Sequence, residues 1–276
     1  MTITTPAAPR TPLGRLRWAV TDAWTITGRD LAHWARQPAP VIVGLLFPVL
    51  MVVMFGYLFG GAMTVPDGGD YREFPLPGMF GLTMLFGIEA TMIAVTTDAA
   101  RGVTDRFRSM PMAPSAVVAG RATADMLSSA LGLAVLIGCG LVVGWRWDGG
   151  GDDALLAVGL LLLLRFAVVW VGVYLGLLAK SPEALMALQI LVWPLGFLSN
   201  AFVATATMPG WLGTIAQWNP LSATVSAARQ LFGNPGVGAD GSWIAQHWLA
   251  MAIAWPLMLI AVFLPLSVRR YQRLRR

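Results

Sequence analysis

Charge is what this 276-residue chain has least of: Asp, Glu, Lys and Arg make up 12% of it, against 57% hydrophobic residues. A soluble domain carries about 25% charge, and here the apolar residues are gathered into long runs with the charge confined to the gaps. Cys139 is the single cysteine. An intrachain disulfide and a cysteine-built metal cluster are therefore excluded, and Cys139, inside an apolar run, reads as a small packing residue. His33 and His247 are the only histidines, which leaves a buried Ser–His hydrolase little to draw on. A phosphate-binding loop is missing as well. The nearest match, Gly176-Leu177-Leu178-Ala179-Lys180-Ser181, lacks the GxxxxGKS/T spacing and follows an apolar run instead of a strand. No catalytic residue, metal or cofactor is expected in this chain. Lysine is nearly absent too, with one against 18 Arg, a pattern that fits coding bias better than function. Net charge is +5 and the isoelectric point is near 10.1. The basic residues lie beside apolar runs, so lipid headgroups and topology explain them, and no nucleic-acid partner is expected.

What the chain does have is six apolar runs and a mean hydropathy of +0.67. Roughly 18 or more apolar residues span the ~30 Å hydrocarbon core as a helix. The expected spans are Ala39 to Gly60, Met79 to Thr97, Ala122 to Gly144, Ala154 to Leu178, Ala184 to about Ala206, and Ile244 to Val268. The fold class is thus an all-α membrane protein with a six-helix domain over 39–268. Residues 1–12 are polar and Pro-rich, expected to be disordered, and without a signal peptide. Over 13–38, Leu13, Leu16, Val20, Trp24, Leu31 and Trp34 alternate with Arg15, Arg17, Asp22, Arg29 and Asp30. That pattern predicts an amphipathic helix lying at the membrane surface. Residues 269–276 form a basic tail. The N-terminal segment, the 98–121 and 179–183 loops and the tail hold fifteen Lys and Arg, whereas the three other connections hold Arg72, Arg146 and Arg229. Both termini are therefore expected in the cytoplasm. The Gly pairs 56/60, 140/144 and 172/176 permit close helix contact, each weakly informative in so Gly-rich a chain.

Two connections carry more than topology. The 98–121 loop, DAARGVTDRFRSMPMAPSAVVAGR, can form a short helix from Asp98 to Met110 before Pro111 and Pro114 end it. Val103, Phe107 and Met110 make an apolar stripe bordered by Arg101, Asp105, Arg106 and Arg108. Either a partner pushes on that stripe or the charges only set topology. Residues 199–235, SNAFVATATMPGWLGTIAQWNPLSATVSAARQLFGNP, are too apolar for an open loop and too broken for a full span. Met208-Pro209-Gly210 reads as a turn, Trp211 to Trp218 as a short helix, and Asn219-Pro220 as the cap and start of a second helix ending at Gly233. Two short re-entrant helices dipping into the outer leaflet are expected, packed against protein because broken backbone cannot face lipid. Inside the spans, Glu89, Asp125 and Arg165 are the ionisable residues. They either line a path or neutralise one another, an Asp or Glu pairing with Arg165.

GVTDRFRSMPM…A…GR…AD after the second run and F-LSN-F…MPGWL…WNPLSA…R-LF after the fifth resemble the ABC-2 type permeases, in particular the daunorubicin-resistance-type export permeases. The resemblance covers nearly the whole chain. Ala99-Ala100 and Ala204 depart from the pattern, standing where related chains carry charge and proline. The resemblance implies a transport subunit without its own ATPase site, in a bacterial plasma membrane, moving a small hydrophobic or amphipathic substrate (drug, secondary metabolite or lipid) outward. It further implies a separate ATPase subunit in two copies holding ATP and Mg. The 98–121 loop is then a coupling helix docking on that subunit, and the N-terminal helix also reaches it. A second permease copy, as homodimer or as heterodimer with a related chain, completes the path. Two rivals read the same residues differently. An intramembrane hydrolase would need His247 to meet Ser199 or Ser222, and no GxSxG surrounds either. An ion-gradient secondary transporter would show internal repeats, which this chain lacks.

Overall fold

A computed structural model describes residues 11–59, 73–100, 116–179, 181–234 and 242–273, and among them all regular structure is helical. The helices are α1 (Pro12–Arg36), α2 (Ala39–Met54), α3 (Pro75–Ala100), α4 (Ala116–Val143) and α5 (Gly151–Leu178). They continue with α6 (Pro182–Phe197), α7 (Gly210–Gln217), α8 (Pro220–Phe232), α9 (Trp243–Gln246) and α10 (Trp248–Arg273). A π-helical turn, Phe55–Phe59, extends α2.

Six full-length spans were expected; four helices, α3, α4, α5 and α10, are long and apolar enough to cross a membrane. The other two apolar stretches, Ile42–Leu58 and Glu183–Phe197, are helical but shorter. The fifth run was expected to reach Ala206, yet α6 stops at Phe197. The cause is local. Pro194 sits inside α6, and side chains from the following segment take the carbonyls that a longer helix would have used. Asn219 Nδ2 donates to the carbonyls of Leu195 and Leu198, each at 2.7 Å. Ser199 Oγ donates to the Gly196 carbonyl, and Arg229 Nη2 to that of Ala201 at 2.8 Å. The sixth run is also interrupted, with α9 and α10 meeting at His247.

The central helix is α5, which packs on α3, α10, α8 and α4. Its seam with α3 depends on two glycines. A Cβ at Gly172 would lie 3.0 Å from Thr91 Cβ, and one at Gly176 3.0 Å from the Met92 carbonyl oxygen. Of the three glycine pairs, this one sits on the α3–α5 contact.

The N-terminal helix docks through a stripe that Val20 and Trp24 do not mark. Ile26 and Thr27 are buried, whereas Val20 and Trp24 are more than 60% exposed. Thr27 Oγ1 donates to the Gly120 carbonyl at 3.0 Å, and a Cβ at Gly120 would lie 2.6 Å from the Ala23 carbonyl oxygen. Small residues thus bring α1 onto the start of α4, leaving Val20 and Trp24, one turn apart, on the open face.

At the other end of the bundle, α7 and α8 form the expected short pair. Asn219 Oδ1 caps α8 by accepting from Leu221 N at 2.9 Å, and Gly233 ends it in the left-handed region at φ 72°, where glycine carries no Cβ penalty. Trp145 Nε1 donates to Asn234 Oδ1 and Asn234 Nδ2 to the Arg146 carbonyl, both at 3.0 Å. Arg229, 1% exposed, donates Nε to the Phe74 carbonyl at 2.9 Å and lies 3.9 Å above the Phe74 ring. It joins α8, the start of α3 and the segment after α6.

Candidate functional site

A cavity of about 900 Å³ is walled by α2, α3, α4 and α6, with Arg165 of α5 at its back. It runs from Gln37 and Arg121 at one end of the bundle to Phe55, Met79 and Phe202 near the other. Most of the wall is apolar, and Glu89, Asp125 and Arg165 all contribute to it.

These three residues divide into a pair and a remainder. Arg165, 3% exposed, donates Nε to Ser129 Oγ at 2.7 Å and Nη2 to Thr91 Oγ1 at 3.0 Å. Thr91 Oγ1 in turn donates a hydrogen bond to Asp125 Oδ2 at 2.7 Å, and that oxygen lies 3.8 Å from Arg165 Nη2. The cluster joins α3, α4 and α5 and places opposite charges together where either alone would cost about 3 kcal/mol or more. Gly87 makes room for it, since a Cβ there would lie 2.7 Å from Arg165 Cζ. Glu89 stands apart. Its carboxylate accepts a hydrogen bond from the side chain of Trp193, and its buried Oε1 has no hydrogen-bond partner among the described residues.

Six aromatic side chains of the cavity wall form a continuous track from that point. Trp193 meets Phe86 at 4.8 Å between ring centroids, Phe47 at 6.5 Å and Phe197 at 6.0 Å. Phe197 stacks on Phe202 at 6.1 Å, and Phe202 on Phe55 at 5.2 Å. The i, i+4 spacing of Trp193 and Phe197 puts both on one face of α6, so the track follows that helix.

At the end of the cavity near Gln37, Arg121 Nη1 reaches Asp98 Oδ2 at 2.6 Å. This pair ties the last turn of α3 to the first turns of α4, and so fastens the two ends of the 101–115 connection. The expected coupling residues, Arg101, Val103, Asp105, Arg106, Phe107, Arg108 and Met110, lie outside the described residues. Those of the 207–220 motif are placed: Pro209 precedes α7, Asn219 and Pro220 start α8, and Trp211 and Trp218 are more than half exposed. Met208 ends the short 3₁₀ turn Thr205–Thr207.

Sequence reasoning missed Arg229, although an arginine in a segment too apolar for a loop invites the same question as one inside a span. It also missed Thr91 and Ser129, neutral residues that no charge count flags. His247 stacks on Trp243 and lies 2.9 Å from the Trp243 carbonyl oxygen through Nδ1. Ser222 Oγ accepts from Asn200 N, and Ser199 is committed to the end of α6, so neither serine meets the histidine.

The sequence pattern of the ABC-2 type transporter family matches residues 21–232. The daunorubicin resistance ABC transporter permease protein DrrB1 of Streptomyces coeruleorubidus is 34% identical over 92% of this chain and 87% of its own length. The doxorubicin resistance ABC transporter permease protein DrrB of Mycobacterium tuberculosis is 28% identical over 83% of this chain and 78% of its own. The putative transport permease ycf38 of Porphyra purpurea is 25% identical over 77% and 74%. A family pattern covering most of the chain, and a relative similar along nearly all of it, place this protein in the ABC-2 type transporter family, as the membrane permease subunit of an ABC exporter and not its ATPase.

Proposed function

We propose that the chain is one half of a dimeric pathway that takes amphipathic drug-like compounds from the cytoplasm or inner leaflet and releases them outside. The cavity is the observation that carries this reading. It is large enough for a drug-sized ligand, mostly apolar, and extends along much of the bundle. Two named relatives, resistance permeases for daunorubicin and doxorubicin, agree with a substrate of that kind. In this reading all six apolar helices cross. Residues 39–59 are helical without a break and span about 31 Å at 1.5 Å per residue. The shorter α6 meets α7 and α8 in the outer leaflet, where their tied backbone completes the crossing. On the opposite side, α1 lies on the inner surface with Val20 and Trp24 toward the headgroups.

Orientation is tested by cysteine labelling in a Cys139→Ala background. Cysteine at Asp67, Asp152 or Asp240 should react with an impermeant maleimide added outside. At Arg108 or Arg273 reaction should require an opened membrane. Labelling of position 108 from outside overturns the topology and the exporter direction with it.

Assembly follows from incompleteness. Exposed apolar residues on α2 (Ile42, Leu46, Leu50) and α6 (Met186, Ile190, Leu191) flank the cavity, and a second permease copy can cover them. ATP and Mg then belong to two partner ATPase subunits beneath. Native mass spectrometry of the complex purified with its ATPase should give two permeases and two ATPases. A stable, ATP-driven complex holding one permease would sink the half-pathway reading; a related second permease would make the dimer heteromeric.

A further inference from the structure

Charge accounting in the cavity leaves one group over. Arg165 is matched by Asp125, through Thr91 and at 3.8 Å directly, and Arg121 by Asp98 at 2.6 Å. Among the described residues Glu89 has no cation beside it: the Trp193 side chain is its hydrogen-bond donor, and Oε1 is unpartnered. A carboxylate kept in an apolar wall within a span is costly unless something compensates it. Its surroundings indicate what that is. Phe86 lies one turn before it on α3 and meets Trp193 at 4.8 Å, and from Trp193 the aromatic track leads away along α6. Ring faces are electron-rich and attract organic cations, and Trp does so best.

We infer that Glu89, with Phe86 and Trp193 beside it, is the recognition site for a protonated or quaternary amine on the transported amphipath, the track from Trp193 to Phe55 taking its flat apolar body. This deepens the export reading and rests on it for the word transported. The carboxylate gives the amine its counter-ion, while the rings exclude water and reward a delocalised or alkylated cation over a small hydrated one. Arg165 also lines the cavity; with Asp125 offsetting its charge, it does not make the cavity anion-selective.

The test uses three naphthyl-alkyl probes of one length, ending in trimethylammonium, hydroxyl or sulfonate. Each is bound to the full chain in nanodiscs of zwitterionic lipid, with empty discs subtracted. The ammonium probe should bind about tenfold tighter than the hydroxyl probe, and the sulfonate weakest. Glu89→Gln should reduce that preference to about threefold or less while leaving hydroxyl binding unchanged. Glu89→Asp, which keeps the charge, should keep the ammonium ahead. Equal binding of all three by the unaltered chain overturns the inference without any variant, and so does a preference for the sulfonate. Equal loss of every probe in Glu89→Gln would reduce Glu89 to a packing role. ATP-driven export of the same probes by the assembled complex separates the two readings. Export indifferent to the terminal charge leaves the exporter standing and removes the amine site. Charge-selective binding without export leaves the site standing and removes the exporter reading.

Discussion

Arg165→Leu should cost about 3–5 kcal/mol of stability and sharply lower the amount of folded protein in the membrane, because it strands a buried partner. Arg165 is 3% exposed, and its contacts tie α5 to two other helices. Ser129 of α4 accepts from Nε, Thr91 of α3 from Nη2, and Asp125 of α4 lies behind Thr91. Once the cation is gone, Asp125 keeps one hydroxyl and faces an apolar cavity with its charge unmatched. Asp125→Asn should be harmful for the mirror reason, leaving the guanidinium without an anion. Removing both charges, as Arg165→Leu with Asp125→Asn, should cost at least ~2 kcal/mol less than the two single losses added together, since contacting residues are not additive. Thermal unfolding of the four proteins in one detergent measures this. Additive losses would show that Arg165 and Asp125 do not act as a pair. Glu89→Gln should be mild by comparison, which separates a group that holds the bundle from one that faces ligand.

How much of this was legible in the sequence depended on range. Helices set by local signals could be read closely: Asn219-Pro220 starting α8 and Gly233 ending it need only neighbours along the chain. Span number and length were less legible, because apolar run length does not report where a helix gives up its carbonyls. α6 stops at Phe197 through Asn219 and Arg229, residues 22 and more positions later, and no window over 184–206 contains them. The docking stripe of α1 was hidden for a related reason. Its large apolar residues read as the face toward the membrane surface, and nothing in the sequence marks the side that approaches Gly120, where small ones, Ala23 and Thr27, are selected. Asp125 and Arg165 could be suspected as a pair from cost alone, whereas their bridging through Thr91 required the fold. Glu89 looked like an equal third member, and only the structure sets it apart with Trp193 and the aromatic track.

Phe107→Asp should abolish export while the protein reaches the membrane at normal abundance. Phe107 belongs to the 101–115 connection, outside the described residues, but both anchors of that connection are in view. Asp98 and Arg121 join its ends at 2.6 Å, and Gly120, beside the second anchor, carries α1 through Thr27. A displacement applied to the connection therefore enters α3, α4 and α1 together. Four residues beyond Arg121, one turn up α4, Asp125 belongs to the cluster that also holds α5. A route exists from the two anchors of the 101–115 connection to the cavity by packed helices with fixed polar links, which is what a mechanical coupling needs. If Val103, Phe107 and Met110 seat in a groove of the ATPase, an aspartate at 107 introduces an unpaired charge there, at about 2–7 kcal/mol if fully desolvated. The ATPase should then dissociate, or hydrolyse ATP without moving substrate. Arg101→Ala, on the charged border, should change export little, because exposed ion pairs contribute about 0–1 kcal/mol. Phe107→Leu, which keeps an apolar side chain for the groove, should retain most of the activity. Insertion depends on the Lys and Arg count of this side, which none but Arg101→Ala alters, and there by one of fifteen. Normal export by Phe107→Asp at normal abundance would leave the connection a topology signal only, and the ATPase would have to act through α1 or the 179–183 turn instead.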